Sequence, residues 1–347
     1  MSYTVAIVGV TGAAGGEVLK ILEQRQFPVK ELRAFASARS AGTTVTFRGT
    51  KVTVQEVKPE DFAGADFVFF AAGGSTSKAL CPEAARRGAV VIDKSSAWRM
   101  DPSVPLVIPE INAEDIRQHQ GIISSPNCST IVMLMAIAPL HRANPIKRII
   151  VDTYQSASGA GYKGIVELMQ QARDVLDKKE PKHAAFPHTL AFNVVPQVEE
   201  FTPSGYTTEE QKMQDETRKI LHLPGLPVSA TCVRVPVPIG HSEAVHMEMT
   251  HPMTPQQARD VLAKAPGVVV QDDTSQKQYP LAMHAAGRDE VFVGRIRADV
   301  ALENGITLWT VGDNLRKGAA LNAVQIAEAV VAMQAFTPKA PVIGAGR

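Results

Sequence analysis

Short apolar runs alternate with stretches of helical periodicity over the first third of the chain. TVAIVGV (4–10) is an apolar run interrupted only by glycine, the pattern of a strand buried on both faces. GEVLKILEQR (16–25) follows with its apolar residues at helical spacing. ELRAFAS (31–37), DFVFFAA (66–72), AVVIDKSS (89–96) and GIISSP (121–126) repeat the strand pattern, and GGSTSKALCPEAARRG places a loop and a helix among them. Strands that alternate with helices predict an α/β unit with a doubly wound parallel sheet of the Rossmann type.

Beyond residue 150 the pattern changes. RIIVDTYQSAS, HTLAFNVVPQV, SATCVRVPV, EAVHMEMTH, EVFVGRIRADV and ITLWTVGDN are six strand candidates, separated by few helices such as GIVELMQQARDVLDK and TEEQKMQDETRKIL. Strands grouped in this way predict an α+β domain with a mixed or antiparallel sheet. LRKGAALNAVQIAEAVVAMQAF reads as one alanine-rich helix, expected to return to the first domain. The expected division is 1–127 with 314–347 for the first domain and 128–313 for the second.

Composition narrows the function classes. At 347 residues the chain exceeds one average domain, and 45% apolar residues supply a sizeable core. A net charge of +1 without long runs of one sign argues against an electrostatic nucleic-acid binder. MSYTVAIVGV has no basic leader pattern, and no uninterrupted apolar stretch is long enough to span a bilayer. The 3 cysteines, Cys81, Cys128 and Cys232, show neither disulfide nor metal spacing, which fits free thiols in a reducing cytoplasm.

Four places carry chemistry. The first strand runs into Gly9-Val-Thr-Gly12-Ala-Ala-Gly15, where glycines permit a tight turn and close approach of a pyrophosphate to a helix N-terminus. A glycine-rich βα turn without a ligand is the plainer alternative. The second strand ends in Ala36-Ser37-Ala38-Arg39-Ser40, with no acid to meet ribose hydroxyls. A guanidinium with hydroxyls suits a 2′-phosphate, so NADP is favoured over NAD; a solvated Arg39 competes with that reading.

The other two places are Cys128 and His241. Ser124-Ser125-Pro126-Asn127 is turn chemistry, and Ser129-Thr130 can serve the first turn of a helix expected to run to Pro139. Cys128 therefore lies at a helix start, where unpaired N–H groups favour a thiolate. A lone cysteine is more commonly a small core hydrophobe, and that is how Cys81 and Cys232 read. His241 follows the Pro238-Ile239-Gly240 break and opens a new strand, which makes it the proton partner to a nucleophilic thiol. His246 and His251 recur at five-residue spacing, but odd offsets on a strand face opposite ways, so no metal site is expected.

GVTGAAG, SARSAG, SSAWRMD, SPNCST, TYQSASGAG, TEEQKM, CVRVPVPIGHSE and GDNLRKGAALNAVQIAE together resemble the aspartate-β-semialdehyde dehydrogenase family nearly end to end. The resemblance implies an NADP-dependent enzyme that converts L-aspartyl-4-phosphate reversibly to L-aspartate-4-semialdehyde, on the route to lysine and diaminopimelate, methionine, threonine and isoleucine. It implies that Cys128 forms an acyl-thioester and His241 is the acid/base, with Asn127 and Gln155 lining the reacting carbonyl. It assigns the substrate α-carboxylate to Arg234, the amino group to Glu209, and the phosphate to Arg99 and Lys212. For NADP it implies contacts from Thr11, Gly12, Ala13 and Ala14, from Arg39 and Ser40, and from Ser158, Gly159 and Asn314. It also implies a cytoplasmic homodimer or homotetramer assembled through the second domain.

Residue chemistry supports part of this scheme. Arg234 sits inside an apolar strand, where an unpaired guanidinium is costly. Glu209 and Lys212 are helix neighbours, and without the resemblance a surface ion pair is the simpler reading. The competing functions are another acyl-phosphate reductase, such as that for N-acetyl-γ-glutamyl phosphate, a non-catalytic relative, or a redox sensor built on Cys128.

Overall fold

The computed structural model describes residues 1–336. They form two compact units, one of residues 1–126 and 319 onward, the other of residues 127–318. The crossings thus fall after Pro126 and after Gly318, and Asn127 and residues 314–318 belong with the second unit rather than the first.

The first unit is built on a seven-stranded sheet: β1 (Tyr3–Val8), β2 (Val29–Ala36), β3 (Thr44–Phe47), β4 (Thr50–Glu56), β5 (Phe67–Phe70), β6 (Val90–Asp93) and β7 (Ile122–Ser124), in spatial order β3-β4-β2-β1-β5-β6-β7. All neighbours are parallel except the β3–β4 hairpin. β1, β5 and β6 are buried along their full length, which is why they read as unbroken apolar runs. Helices α1 (Ala13–Gln24), α2 (Gly74–Arg86) and the short α3 (Pro109–Asn112) connect them. The β3–β4 hairpin was not among the expected strands. Its signal is Arg48-Gly49, both at positive φ, set between two alternating runs.

The second unit carries a six-stranded mixed sheet: β8 (Ile146–Gln155), β9 (Val228–Arg234), β10 (His241–Met249), β11 (Val268–Val270), β12 (Val291–Ala298) and β13 (Gly305–Gly312), ordered β11-β12-β13-β10-β8-β9. Its helices are α4 (Cys128–Ala143), α5 (Tyr162–Leu176), α6 (Thr208–Ile220), α7 (Pro255–Leu262) and α8 (Ala282–Ala285). HTLAFNVVPQV is not a strand; it pairs with the sheet through the isolated Val195–Arg234 bridge. The reasons are local: Phe192 takes positive φ, the Asn193 side chain bonds the backbone at Thr189 and Val194, and Pro196 lacks an N–H.

Two expected helix limits move. α4 passes through Pro139 and ends at Ala143, because a buried Leu140 keeps the last turn packed although Pro139 lacks its own N–H. The C-terminal segment is a π-helical turn at Arg316–Ala320 followed by α9 (Leu321–Met333). α9 belongs to the first unit and packs against α1, with Val324, Ile326, Ala327 and Val330 sharing a core with Ile21 and Leu22. No helix among the described residues is long and apolar enough to cross a membrane.

Candidate active site

In the first unit, the turn from β1 into α1 carries two glycines, Gly9 and Gly15, that tolerate nothing larger. Gly9 takes φ +89°, and a Cβ there would lie 2.7 Å from the Ala71 carbonyl oxygen. A Cβ on Gly15 would lie 2.1 Å from the Gly9 carbonyl oxygen, so helix and strand meet only with hydrogen at that position. Gly12 is the N-cap of α1, no side chain caps the helix, and its first turn carries no acid. Thr11 and Gly12 are exposed, and Ala13 and Ala14 half-buried, so this helix start is open to a ligand. After β2, Ser37 leads into a 3-10 turn over Ala38–Ser40 whose Ser40 hydroxyl lies 3.5 Å from that of Thr11. Exposed Arg39 is therefore carried on a turn that adjoins the glycine loop.

Arg99 also belongs to the first unit. It is nearly buried, and its guanidinium donates to the carbonyls of Ser125 (3.1 Å) and Lys94 (2.8 Å). Buried Asp93, at the end of β6, accepts from the Ser77 and Ser95 hydroxyls and from the Ser95 N–H, and so fixes the start of that loop.

In the second unit, Cys128 is the first residue of α4, and its Sγ lies 3.3 Å from His241 Nε2. Asn127 is the N-cap: its Oδ1 accepts from the N–H groups of Ser129 and Thr130. Its Nδ2 donates to both carboxylate oxygens of Glu209, 3.0 Å each, and its backbone N–H donates to Glu216. Gln155, the last residue of β8, donates to Ser129 Oγ and to Glu209 and accepts from Thr153. Asn127 and Gln155 thus act together to hold Glu209, which is 3% exposed.

The tautomer of His241 follows from its neighbours. The backbone N–H of Ser156 donates to Nδ1 at 3.1 Å. Nδ1 is therefore an acceptor, and the neutral ring carries its proton on Nε2, facing the sulfur. Burial, and then the Arg234 charge, hold this imidazole well below its ordinary value of 6.5, so the ring stays neutral. Ser156 also reaches Asn314, whose Oδ1 accepts from Ser156 Oγ, Ser158 Oγ and the Gly240 N–H. Ser158 and Asn314 are thus nearly buried members of the network behind the histidine.

Arg234 ends β9 with its guanidinium donating to the Ser156 carbonyl. Burial lowers its pKa, while Glu209 and Cys128 oppose that effect. Gly159 makes room for it: a Cβ there would lie 2.6 Å from Arg234 Nη1. Lys212 pairs with Glu209 one turn away on α6 and with Glu199. A cavity of about 310 Å³ opens over Cys128, Asn127, Gln155, Glu209 and Arg234, and Glu199 and Lys163 also line it. Neither of the last two was singled out in the sequence. Cys81 and Cys232 are fully buried, and burial pushes both thiols up, as suits core residues. His246 faces the other side of the sheet and pairs with Asp299.

Known proteins resemble this chain in sequence and in fold. Residues 4–119 match the family model described as semialdehyde dehydrogenase, NAD binding domain, and residues 137–317 match semialdehyde dehydrogenase, dimerisation domain. The chain is similar to the aspartate-semialdehyde dehydrogenase of Aquifex aeolicus, 53% identical over 95% of this chain and 98% of the relative. The Bacillus subtilis enzyme of that name is 50% identical over 94% and 96%. Among solved structures, aspartate semialdehyde dehydrogenase II of Vibrio cholerae, complexed with ASA, superposes with a TM-score of 0.93 at 45% identity, covering 96% of this chain and 99% of that one. The chain belongs to the aspartate-semialdehyde dehydrogenase family.

Proposed function

We propose that this enzyme catalyses the reversible NADPH-dependent reductive dephosphorylation of L-aspartyl-4-phosphate to L-aspartate-4-semialdehyde, through a thioester on Cys128. The observation that carries this reading is the 3.3 Å contact between the sulfur at the start of α4 and a histidine whose tautomer is fixed. The helix start, the Nε2–H and the nearby Arg234 charge all favour the thiolate. The thiolate attacks the acyl carbon, the C–O bond to phosphate breaks, and phosphate leaves with that electron pair. Bound NADPH supplies the hydride that brings the thioester to the aldehyde level. His241 donates its Nε2–H toward the oxyanion as the tetrahedral centre forms, and toward the sulfur as the C–S bond breaks. On this tautomer the histidine works as a donor in both steps and need not remove a proton from the thiol.

The residues present fit the cofactor. A glycine cradle that a Cβ would fill, an uncapped helix start and a neighbouring turn bearing Arg39, Ser37 and Ser40 suit a pyrophosphate and a 2′-phosphate. Arg234 is the proposed partner of the substrate α-carboxylate, and Glu209 of its amino group. Lys212 and Arg99 are the proposed phosphate ligands; Lys212 must exchange its Glu199 contact for the phosphate.

We also propose a homodimer through the second unit, with tetramers as a further assembly. The outer face of its sheet exposes Ile150 and Tyr154, and α5 exposes Tyr162, Val166, Met169 and Leu176. Apolar side chains grouped in this way suit a covering surface. A thiol nucleophile suits the reducing cytoplasm, where aspartyl phosphate feeds lysine, methionine, threonine and isoleucine synthesis.

The test is phosphate-dependent NADP reduction with aspartate semialdehyde. Activity is expected for the parent and absent from Cys128→Ala. N-acetylglutamate semialdehyde, used in its place, should give none; preference for it would turn the reading to the related reductase.

A further inference from the structure

On the side of the mixed sheet that faces α4, two neighbouring rows of side chains cross four strands. The register, continued one step at Gln155, sets Arg234, Gln155, His241 and Gly312 in one row. It sets Cys232, Thr153, Glu243 and Thr310 in the next. Residues two apart on a strand face the same way, so the second row lies directly beside the catalytic one.

The second row has two unexplained members, Glu243 and Thr310. Glu243 is completely buried, and neither carboxyl oxygen has a hydrogen-bond partner among the described residues. Its cross-strand neighbour Thr310 is also completely buried, with an unpaired hydroxyl. By contrast, Thr153 is bonded to Gln155, and the Cys232 thiol contacts Met213. Buried polar atoms of this kind are satisfied by an internal water that bridges them.

An ionised carboxylate in this position is costly unless a cation meets it. The inward positions of β8 (149, 151, 153 and 155) and of β13 (306, 308, 310 and 312) carry no titratable side chain. β10 contributes His241, β9 contributes Cys232 and Arg234, and the start of α4 contributes Cys128. α6 contributes three buried acids, Glu209, Glu210 and Glu216. Arg234 is a cation among these groups, and it belongs to the catalytic row with Glu209 and Cys128 beside it, while buried Lys317 precedes Gly318, which abuts Cys128. Burial, and then the Glu209 charge, push the Glu243 carboxyl well above its ordinary value of 4.5.

We propose that Glu243 is a positioning residue of this active site: it is a carboxylic acid that stays protonated and, with Thr310 and a bridging water, forms a neutral floor beside Gln155 and His241. Its neutrality matters to the chemistry. A carboxylate there would oppose the Cys128 thiolate and favour an imidazolium at His241, which would disrupt the Ser156 N–H to Nδ1 bond. The kinetic part of this inference rests on the Cys128–His241 reading, whereas the protonation state does not.

The test compares the parent with Glu243→Gln, which is isosteric and cannot ionise. Infrared spectra of the parent at neutral to mildly alkaline pH should show the C=O band of an undissociated acid, missing from the variant. Absence of that band in the parent overturns the proposal, whether or not the variant folds. The variant should keep kcat/KM within about fivefold of the parent near neutrality, the scale of one rearranged neutral hydrogen bond. Its alkaline limb should move to higher pH. Loss of activity at every pH, or superimposable pH profiles, would overturn the positioning role. Cys128→Ala separates the two claims: if it remains active, the catalytic reading fails while the infrared result still decides the state of Glu243.

Discussion

Two helix starts in this molecule are finished in opposite ways. α1 begins at Gly12 with no side-chain cap and no acid in its first turn. α4 begins at Asn127, whose amide oxygen takes two of the free N–H groups while its amide nitrogen holds Glu209. Both ends favour negative charge through the same helix dipole. The difference lies in what is left for that charge to meet. The open start suits a ligand anion that arrives and leaves. The capped start leads into the proposed nucleophile, the Cys128 sulfur, and anchors the side chains around it. A site made of backbone needs only small residues, whereas a site made of side chains needs a buried network.

The comparison can be broken at several points. The largest effect is expected at the donor that faces the proposed nucleophile. His241→Asn should lower kcat by about 10²- to 10⁴-fold, the scale of a lost proton donor. Steady-state kinetics check this; a loss below tenfold would show that Nε2–H is not the working group. Next comes the cap. Asn127→Asp keeps an acceptor for the helix N–H groups but faces Glu209 with a second carboxylate. It should lose activity by about 10²-fold, from the lost charge-assisted donation to both Glu209 oxygens and the added repulsion. Thermal stability should fall less than in Asn127→Ala, which costs about 1 kcal/mol for the cap alone.

At the open start the effects should be smaller and confined to binding. Arg39→Ala should raise KM for NADP about tenfold, the value of one exposed charge-assisted contact, with KM for NAD unchanged. Equal loss for both cofactors would remove the 2′-phosphate assignment. The smallest effect is on stability. His241 is kept neutral in the fold, so below its ordinary value of 6.5 the unfolded chain binds the extra proton and the fold loses stability as pH falls. Glu243 has the opposite sign: above 4.5 the fold holds a proton that the unfolded chain releases, so stability falls as pH rises. The melting temperature of Glu243→Gln relative to the parent should therefore increase with pH.

The same contrast explains what the sequence made legible. The glycine turn, the end of β2 and the start of α4 are local, and short motifs carried them. The β3–β4 hairpin and α7 also had local signals. Arg48-Gly49 marks the first, and Thr254, Pro255 and Gln257 mark the second with a capping box and a proline in the first turn. Partnerships across the fold were not legible from residue chemistry. Nothing in Asn127 or Gln155 alone says that both donate to Glu209, 82 and 54 residues away. Ser156 escaped notice because its role belongs to a backbone N–H, which every residue but proline has. Glu243 did leave a trace: it stands two positions after His241, a charge on the inward face of a strand.

The central claim is a covalent bond to Cys128, and it is tested most directly by mass spectrometry of enzyme quenched after mixing with aspartate semialdehyde and NADP in the absence of phosphate. An aspartyl group on the peptide that contains Cys128, formed with one NADPH per site and released when phosphate is added, is the expected result. NADPH formation in that mixture without any adduct on Cys128 would contradict the account.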